Sequence, residues 1–278
     1  MRIRRIITST WADLVVSIVF GIVFIVPFIF IFLTAAKTRQ EAAQFKFTWP
    51  GKFELAQNLR AVITFADDRM LLALKNSTIL TIGSVILIVL LGSSVAFVLQ
   101  RRNDRVASIA SVLMLSGLVL PPSVVPTIYV LQKIGLYKTL TGLIFVEVAI
   151  QLPFAILVFR AFMASIPREL DEAAIIDGAS PLQLYFRVIL PLLRPAIISI
   201  VVVSAVVIYN DFTLPLYFLP GNKNVTAQLT LFSFRSQFNT QWNLLFADVV
   251  VITIPPLIMY IFFQRQIVAG MTSGAVKG

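Results

Sequence analysis

Residues 14–33 read LVVSIVFGIVFIVPFIFIFL, 20 positions without a single charge. As a helix rising about 1.5 Å per residue, such a run is about 30 Å long, the thickness of a bilayer's hydrocarbon core. Arg2, Arg4 and Arg5 precede it and Ala35-Ala36 follows, so a cleaved signal peptide is the competing reading. Signal peptides carry a shorter apolar region of about 7–15 residues, and the run is therefore read as an uncleaved first span. Five more apolar runs follow near 77–99, 107–128, 141–162, 196–218 and 247–263. Pro121-Pro122 lies inside the third and Pro255-Pro256 inside the sixth. The fold class expected is an all-α membrane protein with six transmembrane helices in a single domain, 1–278.

Composition narrows what such a chain can do. At 58% hydrophobic and a mean hydropathy of +0.92, it is not a soluble globular sequence. Its net charge of +10 would suit nucleic acid, but basic residues beside apolar spans fix membrane topology instead. It holds no cysteine and no histidine, which removes disulfides, thiol nucleophiles, imidazole bases and the commonest zinc ligands. The only Gly-Lys pair, Gly51-Lys52, precedes Phe53 and lacks a phosphate-cradling glycine pattern. No catalytic residue, no metal ligand and no bound cofactor is expected.

Topology rests on charge density rather than on number. With the N-terminus inside, the inner face carries 12 basic residues and the outer face 11. The inner arginines crowd short connections such as Arg101, Arg102 and Arg105, where the bias acts most strongly. An even number of spans then puts both termini on the cytoplasmic side. Residues 34–76 and 219–246 become outer loops, and 166–191 becomes an inner loop. The second outer loop is rich in aromatics, with Phe232, Phe234, Phe238 and Trp242. Anchoring at the membrane interface and contact with a partner are both open for them.

The inner loop is the most sharply punctuated stretch, IPRELDEAAIIDGASPLQLYFRVILP. Pro167 suits the start of a helix, and Glu169, Asp171 and Glu172 match the positive end of its dipole. Gly178 is placed to end that helix in a left-handed conformation. Ser180-Pro181 opens a second helix that runs toward Pro191. A DNA-binding helix-turn-helix would need a basic second helix and a soluble body, and neither is present. A plain linker and a docking element remain. Ala173, Ala174 and Gly178 leave a low surface that a partner can approach.

Glu172-Ala173-Ala174, then Gly178, then Leu190-Pro191 resembles the EAA loop of ATP-binding-cassette importer permeases, with Val188 where that family carries isoleucine. Asn76-Ser77, Leu120-Pro121-Pro122, Leu152-Pro153-Phe154, Asn210-Asp211-Phe212 and the ending Gly274-Ala275-Val276-Lys277-Gly278 extend the likeness over the whole chain. Together they are similar to the maltose-type branch of carbohydrate importer permeases (MalG-like), with the type I importer fold. The resemblance implies that Glu172, Ala173, Ala174, Asp177, Gly178, Leu190 and Pro191 couple to an ATPase. It implies that the tail 274–278 reaches toward the paired ATPases. It also implies a MalF-like second permease chain, two ATPase chains that bind ATP and Mg, and an extracytoplasmic solute-binding protein. The setting implied is a bacterial or archaeal cytoplasmic membrane, with lipid around the chain and no nucleic acid.

Helix arithmetic places Glu147 and Asp211 at one depth, about 21 Å and about 22 Å from the inner face. Ionisable groups at such depth face protein or water rather than lipid. With Gln151, Tyr209 and Asn210 beside them, they are candidates to line a sugar pathway, or simply to tie helices together. A related polar solute such as glycerol phosphate is an alternative cargo. Two other classes are a membrane enzyme, which lacks convergent reactive groups, and an ATP-independent secondary transporter, which lacks visible repeats.

Overall fold

The computed structural model describes all residues except 1, 67, 222, 236–239 and 276–278, with side chains described between 14 and 264. Among the described residues every regular element is helical. In chain order these are α1 (Arg2–Ala35), α2 (Arg39–Ala42), α3 (Leu55–Ile63), α4 (Arg69–Arg101), α5 (Arg105–Val119), α6 (Val124–Lys133) and α7 (Leu140–Met163). They continue with α8 (Glu169–Ile176), α9 (Pro181–Gln183), α10 (Leu190–Leu192), α11 (Arg194–Asn210), α12 (Thr213–Phe218) and α13 (Trp242–Ala275). A π-helical turn, Leu184–Ile189, joins α9 to α10, and a 3₁₀ segment covers Ala227–Phe234. Four helices contain a stretch long and apolar enough to cross a membrane: Leu14–Ala35, Arg69–Arg101, Leu140–Met163 and Trp242–Gln264. Two bent pairs bring the number to six if each counts as one span.

The bent pairs depart from the straight spans read in the sequence. Instead of one helix over 107–128, α5 stops at Val119 and α6 restarts at Val124 with a bend of 117°. Leu120 is extended at ψ 125°, the conformation that a following proline imposes, and Pro121-Pro122 offer no N–H to continue the ladder. Instead of one helix over 196–218, α11 ends at Asn210 and α12 begins at Thr213. At its start α11 meets the preceding helical stretch at 73°, where Pro195 follows the break at Leu193. The sixth span is longer than 247–263 on both sides, because α13 runs from Trp242 to Ala275 through Pro255-Pro256.

The described chain forms two compact units, residues 1–71 with 230–254, and 72–229 with 255–278. In the second unit α7 is central, burying Leu143, Val146, Ala155, Ile156 and Phe159. Small residues let its neighbours close in: a methyl group on Gly92 of α4 would lie 3.2 Å from Ala155 Cβ. One on Gly117 of α5 would lie 2.9 Å from Pro153 Cγ, so that site tolerates only glycine without a shift. Asn76 and Ser77 of α4 hold a distant segment. Asn76 Nδ2 donates to the Val225 carbonyl at 2.9 Å, and Ser77 Oγ accepts from Ala227 N at 2.9 Å.

In the first unit the apolar window of α1 has no buried residue, so its flanks are left for lipid or another chain. Order comes from its far end. Asn58 Nδ2 donates to the carbonyls of Ala35 and Lys37 at 2.8 and 2.9 Å, and Asn58 Oδ1 accepts from Asn243 Nδ2 at 2.8 Å. The aromatics flagged in the sequence have packing partners here. Phe234 meets Phe65 at 4.8 Å and Trp242 meets Phe45 edge-on at 4.6 Å between ring centroids. Phe234 and Trp242 are thus used inside the fold; Phe232 is about half exposed, and Phe238 lies outside the described residues.

Candidate functional site

The loop at 166–191 folds as two helical arms around a glycine turn. Helix α8 starts after Arg168, so Pro167 stands just outside it rather than as its first residue. Glu169, Asp171 and Glu172 fill the first turn, where carboxylates meet free N–H groups. Gly178 has φ +80°, and the bonds Ala179 N to Ala174 O (2.9 Å) and Gly178 N to Ile175 O (3.0 Å) complete a Schellman turn. Ser180 then caps the second arm in a reciprocal box, its N–H donating to Gln183 Oε1 at 2.8 Å, with Pro181 as the first helical residue.

What this turn exposes differs in part from the low alanine surface read in the sequence. Glu172, Ala173, Asp177 and Gly178 are exposed, but Ala174 and Val188 pack partly against the core. The prominent apolar groups are Ile175, Ile176, Leu182 and Phe186, with Ile176 84% exposed. Leu190 is half-buried and Pro191 exposed. A patch of this kind, rimmed by Glu169, Glu172 and Asp177, has the make-up of an interaction surface. The periodic pattern did not single these residues out, because an apolar residue in a short amphipathic arm reads as core.

Charge pairing within the chain ties the loop to α4. Glu172 forms no ion pair with Arg187 among the described residues, and both are exposed. It is Asp171 that is engaged: Arg101 Nε lies 2.6 Å from Asp171 Oδ2, and Arg101 Nη2 donates to Asp171 Oδ1 at 3.1 Å. Tyr185, in the π-helical turn, is buried, with its hydroxyl 2.6 Å from Ser93 Oγ and 3.1 Å from Ser94 Oγ.

The second group of candidates lies at the break between α11 and α12. Glu147, 2% exposed on α7, has Asp211 as its interacting carboxyl neighbour. Asp211 accepts from the backbone of Thr213 at 2.8 Å and of Leu214 at 3.3 Å, so it starts α12 as a side-chain cap. Asn210 is exposed; it donates to Val206 O at 2.9 Å and accepts from Gln228 Nε2 at 3.3 Å. Gln151 is half-buried, and the buried Tyr209 hydroxyl has no hydrogen-bond partner among the described residues. A cavity of about 240 Å³ is lined by Pro122, Thr127, Val146, Ile150 and Leu214 among others, and none of the five candidates is among its lining residues. The described residues include no group of three or more His, Cys, Asp or Glu able to hold a metal ion. At the tail, the α13 backbone is helical through Gly274 and Ala275, whereas Val276, Lys277 and Gly278 lie outside the described residues.

The chain is similar to known transport proteins. The family model described as "Binding-protein-dependent transport system inner membrane component" matches residues 88–273. A putative ABC transporter permease of Caldicellulosiruptor sp. (strain Rt8B.4) is 33% identical over 255 residues, covering 91% of this chain and 92% of that one. A probable starch degradation products transport system permease of Thermoanaerobacterium thermosulfurigenes is 29% identical over 276 residues, 99% of each chain. Among solved structures, a chain of a bacterial ABC transporter involved in importing the acidic polysaccharide alginate superposes with a TM-score of 0.82 at 19% identity, covering 95% of this chain and 98% of that one.

Proposed function

Because this chain belongs to the family of binding-protein-dependent transport system inner membrane components, and so is a multi-pass transport subunit rather than an enzyme, we propose that it forms half of a sugar pathway in an ATP-driven importer. A second permease chain supplies the other half, and a solute-binding protein delivers the cargo from outside. Both termini lie in the cytoplasm. Two partner ATPases bind the ATP and Mg, and one of them seats on the loop at 166–191. The tail at 274–278 lies near the same partners. The choice of sugar as cargo is supported by full-length likeness to a permease named for starch degradation products. Glu147, Gln151, Tyr209, Asn210 and Asp211 form the polar layer along which hydroxyl-rich cargo passes.

The observation that carries this reading is the turn at Gly178. A left-handed glycine, satisfied helix ends on both sides and exposed Ile175, Ile176, Leu182 and Phe186 make a rigid, apolar, acid-rimmed knob. Any other residue at φ +80° costs about 1 kcal/mol or more. Apart from its own atoms and its two chain neighbours, no described heavy atom lies within 4 Å of the place a methyl group on Gly178 would occupy, so bulk there disturbs the knob's outer surface rather than the core. Gly178→Leu is expected to reach the membrane at wild-type amounts and to abolish substrate-stimulated ATP hydrolysis in the reconstituted complex. Wild-type stimulation by that variant would remove the loop from the coupling path.

A further inference from the structure

The loop is covalently continuous with α7 and α11, yet the polar attachments described above run to another helix, α4. Ser93, Ser94, Phe97 and Arg101 are spaced one, four and eight residues from the first, which puts them along one stripe of α4. Each receives a group from the loop. At the end of α4, the Arg101 guanidinium meets the Asp171 carboxylate by two contacts, 2.6 and 3.1 Å, with side-chain exposures of only 16% and 13%. Both charges suit their own helices, since Arg101 closes the C-terminal turn of α4 and Asp171 lies in the N-terminal turn of α8. A longer bond, 3.4 Å, joins Arg168 Nη2 to the carbonyl of Gln100.

Two turns deeper, Tyr185 brings in the other arm. Ser93 Oγ donates its hydrogen to the Val89 carbonyl at 2.5 Å, which leaves Tyr185 to donate to Ser93 Oγ at 2.6 Å. Ser94 has one hydrogen for the Leu90 carbonyl, at 2.6 Å, and the Tyr185 oxygen, at 3.1 Å. The ring of Tyr185 packs on Phe97 at 5.7 Å. Its position is set by the π-helical turn, whose wider ladder is marked by Leu190 N bonding Tyr185 O. One arm of the loop is thus held through Asp171 and the other through Tyr185, both on the same stripe of the same helix.

We propose that Arg101, Asp171, Tyr185, Ser93 and Ser94 are positioning residues that make the loop and the adjoining end of α4 move as one body, so that α4 carries the ATPase stroke into the membrane. The inference rests on the reading of the loop as the ATPase dock. A knob held only by its chain connections to α7 and α11 would be free to swing about the 73° bend at Leu193. Two polar clasps along α4 oppose that swing and transmit displacement along a straight helix. Polar clasps suit this role because a part-buried ion pair and a buried hydroxyl network have defined geometry and add to the apolar packing of Leu184 and Ile189.

The test uses the full complex in liposomes, with nitroxides at Val98 of α4 and at Leu192 of α10, which ends the loop's second arm, both exposed, in a chain that has no cysteine of its own. In the wild type the distance between labels should stay constant when ATP and vanadate are added. In Arg101→Asp and in Asp171→Arg it should change, with stimulated ATP hydrolysis falling about tenfold. The double reversal, Arg101→Asp with Asp171→Arg, should restore the fixed distance and bring hydrolysis to within about threefold of wild type. Tyr185→Phe, which removes one hydroxyl and leaves the packed ring, should lower it about threefold and guards against a charge variant that fails to fold. A fixed distance and wild-type hydrolysis in the single variants, or in Tyr185→Phe, overturn the proposal; so does a double reversal no better than either single change. Failure of the ATPase to co-purify with the wild-type chain is a separate result, and it overturns the docking reading on which the proposal stands.

Discussion

Pro121-Pro122 and Pro255-Pro256 are the same dipeptide in similarly apolar surroundings, yet the first ends α5 and the second lies inside α13. Each proline removes an N–H and crowds the carbonyl four residues earlier, so the local cost is alike. The neighbours differ. Pro126 follows the first pair, and an unbroken helix would hold three prolines in its interior. Restarting at Val124 instead puts Pro126 in a first turn, where its missing N–H is not required. Ser123 completes the restart, since its carbonyl accepts from Thr127 N at 3.2 Å and from Thr127 Oγ1 at 2.7 Å. No further proline follows Pro256, and Thr253 Oγ1 donates to Val249 O at 2.6 Å, a local bond that accompanies gently bent helices. A proline pair therefore breaks a helix when the next few residues offer a better place to begin another. The chain also makes a break with no proline in it, at 210–212, where the Asp211 side chain takes over two backbone N–H groups.

The largest effect should come from removing the reason to restart. In the triple variant Pro121→Ala, Pro122→Ala, Pro126→Ala, α5 and α6 should tend to fuse, and uptake should fall by more than about tenfold. Nitroxides at Ile109 and Val130 read the geometry directly, because a straight helix would separate those positions by ~32 Å along its axis. An unchanged distance in the variant would show that packing on α7, and not proline, sets the bend.

Asp211 should give an intermediate effect, and two substitutions separate its roles. Asp211→Ala removes the cap, costs about 1 kcal/mol, and should lower uptake about fivefold. Asp211→Asn keeps a capping oxygen but removes the charge beside Glu147, and uptake should stay within about twofold of wild type. If both variants are equally impaired, the carboxyl pair matters to transport and the cap does not.

Pro255→Ala with Pro256→Ala should matter least. The helix is already continuous, so the stability read from its denaturation in detergent should rise, by at most about 3 kcal/mol per proline. Uptake should be nearly unchanged. A large loss of uptake would mean that the carbonyls freed by these prolines have a use in the pathway.

Much of the loop was legible because its punctuation is local. Gly178, Ser180 and Pro181 declare a left-handed turn and a capped start within four residues, and the structure has both. Pro167 misplaced the start of α8, because the residue that begins a helix depends on backbone geometry that proline permits but does not require. Long apolar runs announced spans, yet length cannot report a bend, and the breaks at 120–123 and 210–212 were read through. The pairing of Arg101 with Asp171 was hidden for another reason. Each charge already had a sufficient local explanation, as a basic stop and as a dipole partner, and nothing in the sequence links positions 70 residues apart. Phe234 and Trp242 were visible as an excess of aromatics, but only tertiary contact showed that Phe65 and Phe45 accommodate them.

The bonds from Asn76 and Ser77 to residues 225 and 227 span 149 and 150 positions of chain. At about 5–20 residues synthesised per second, the start of α4 is made on the order of ten seconds before its partners exist. During that interval a buried amide and a buried hydroxyl wait without them. The clasp therefore acts as a timer: the segment that includes α4 through α12 cannot be fully closed at this point until the ribosome has passed residue 227.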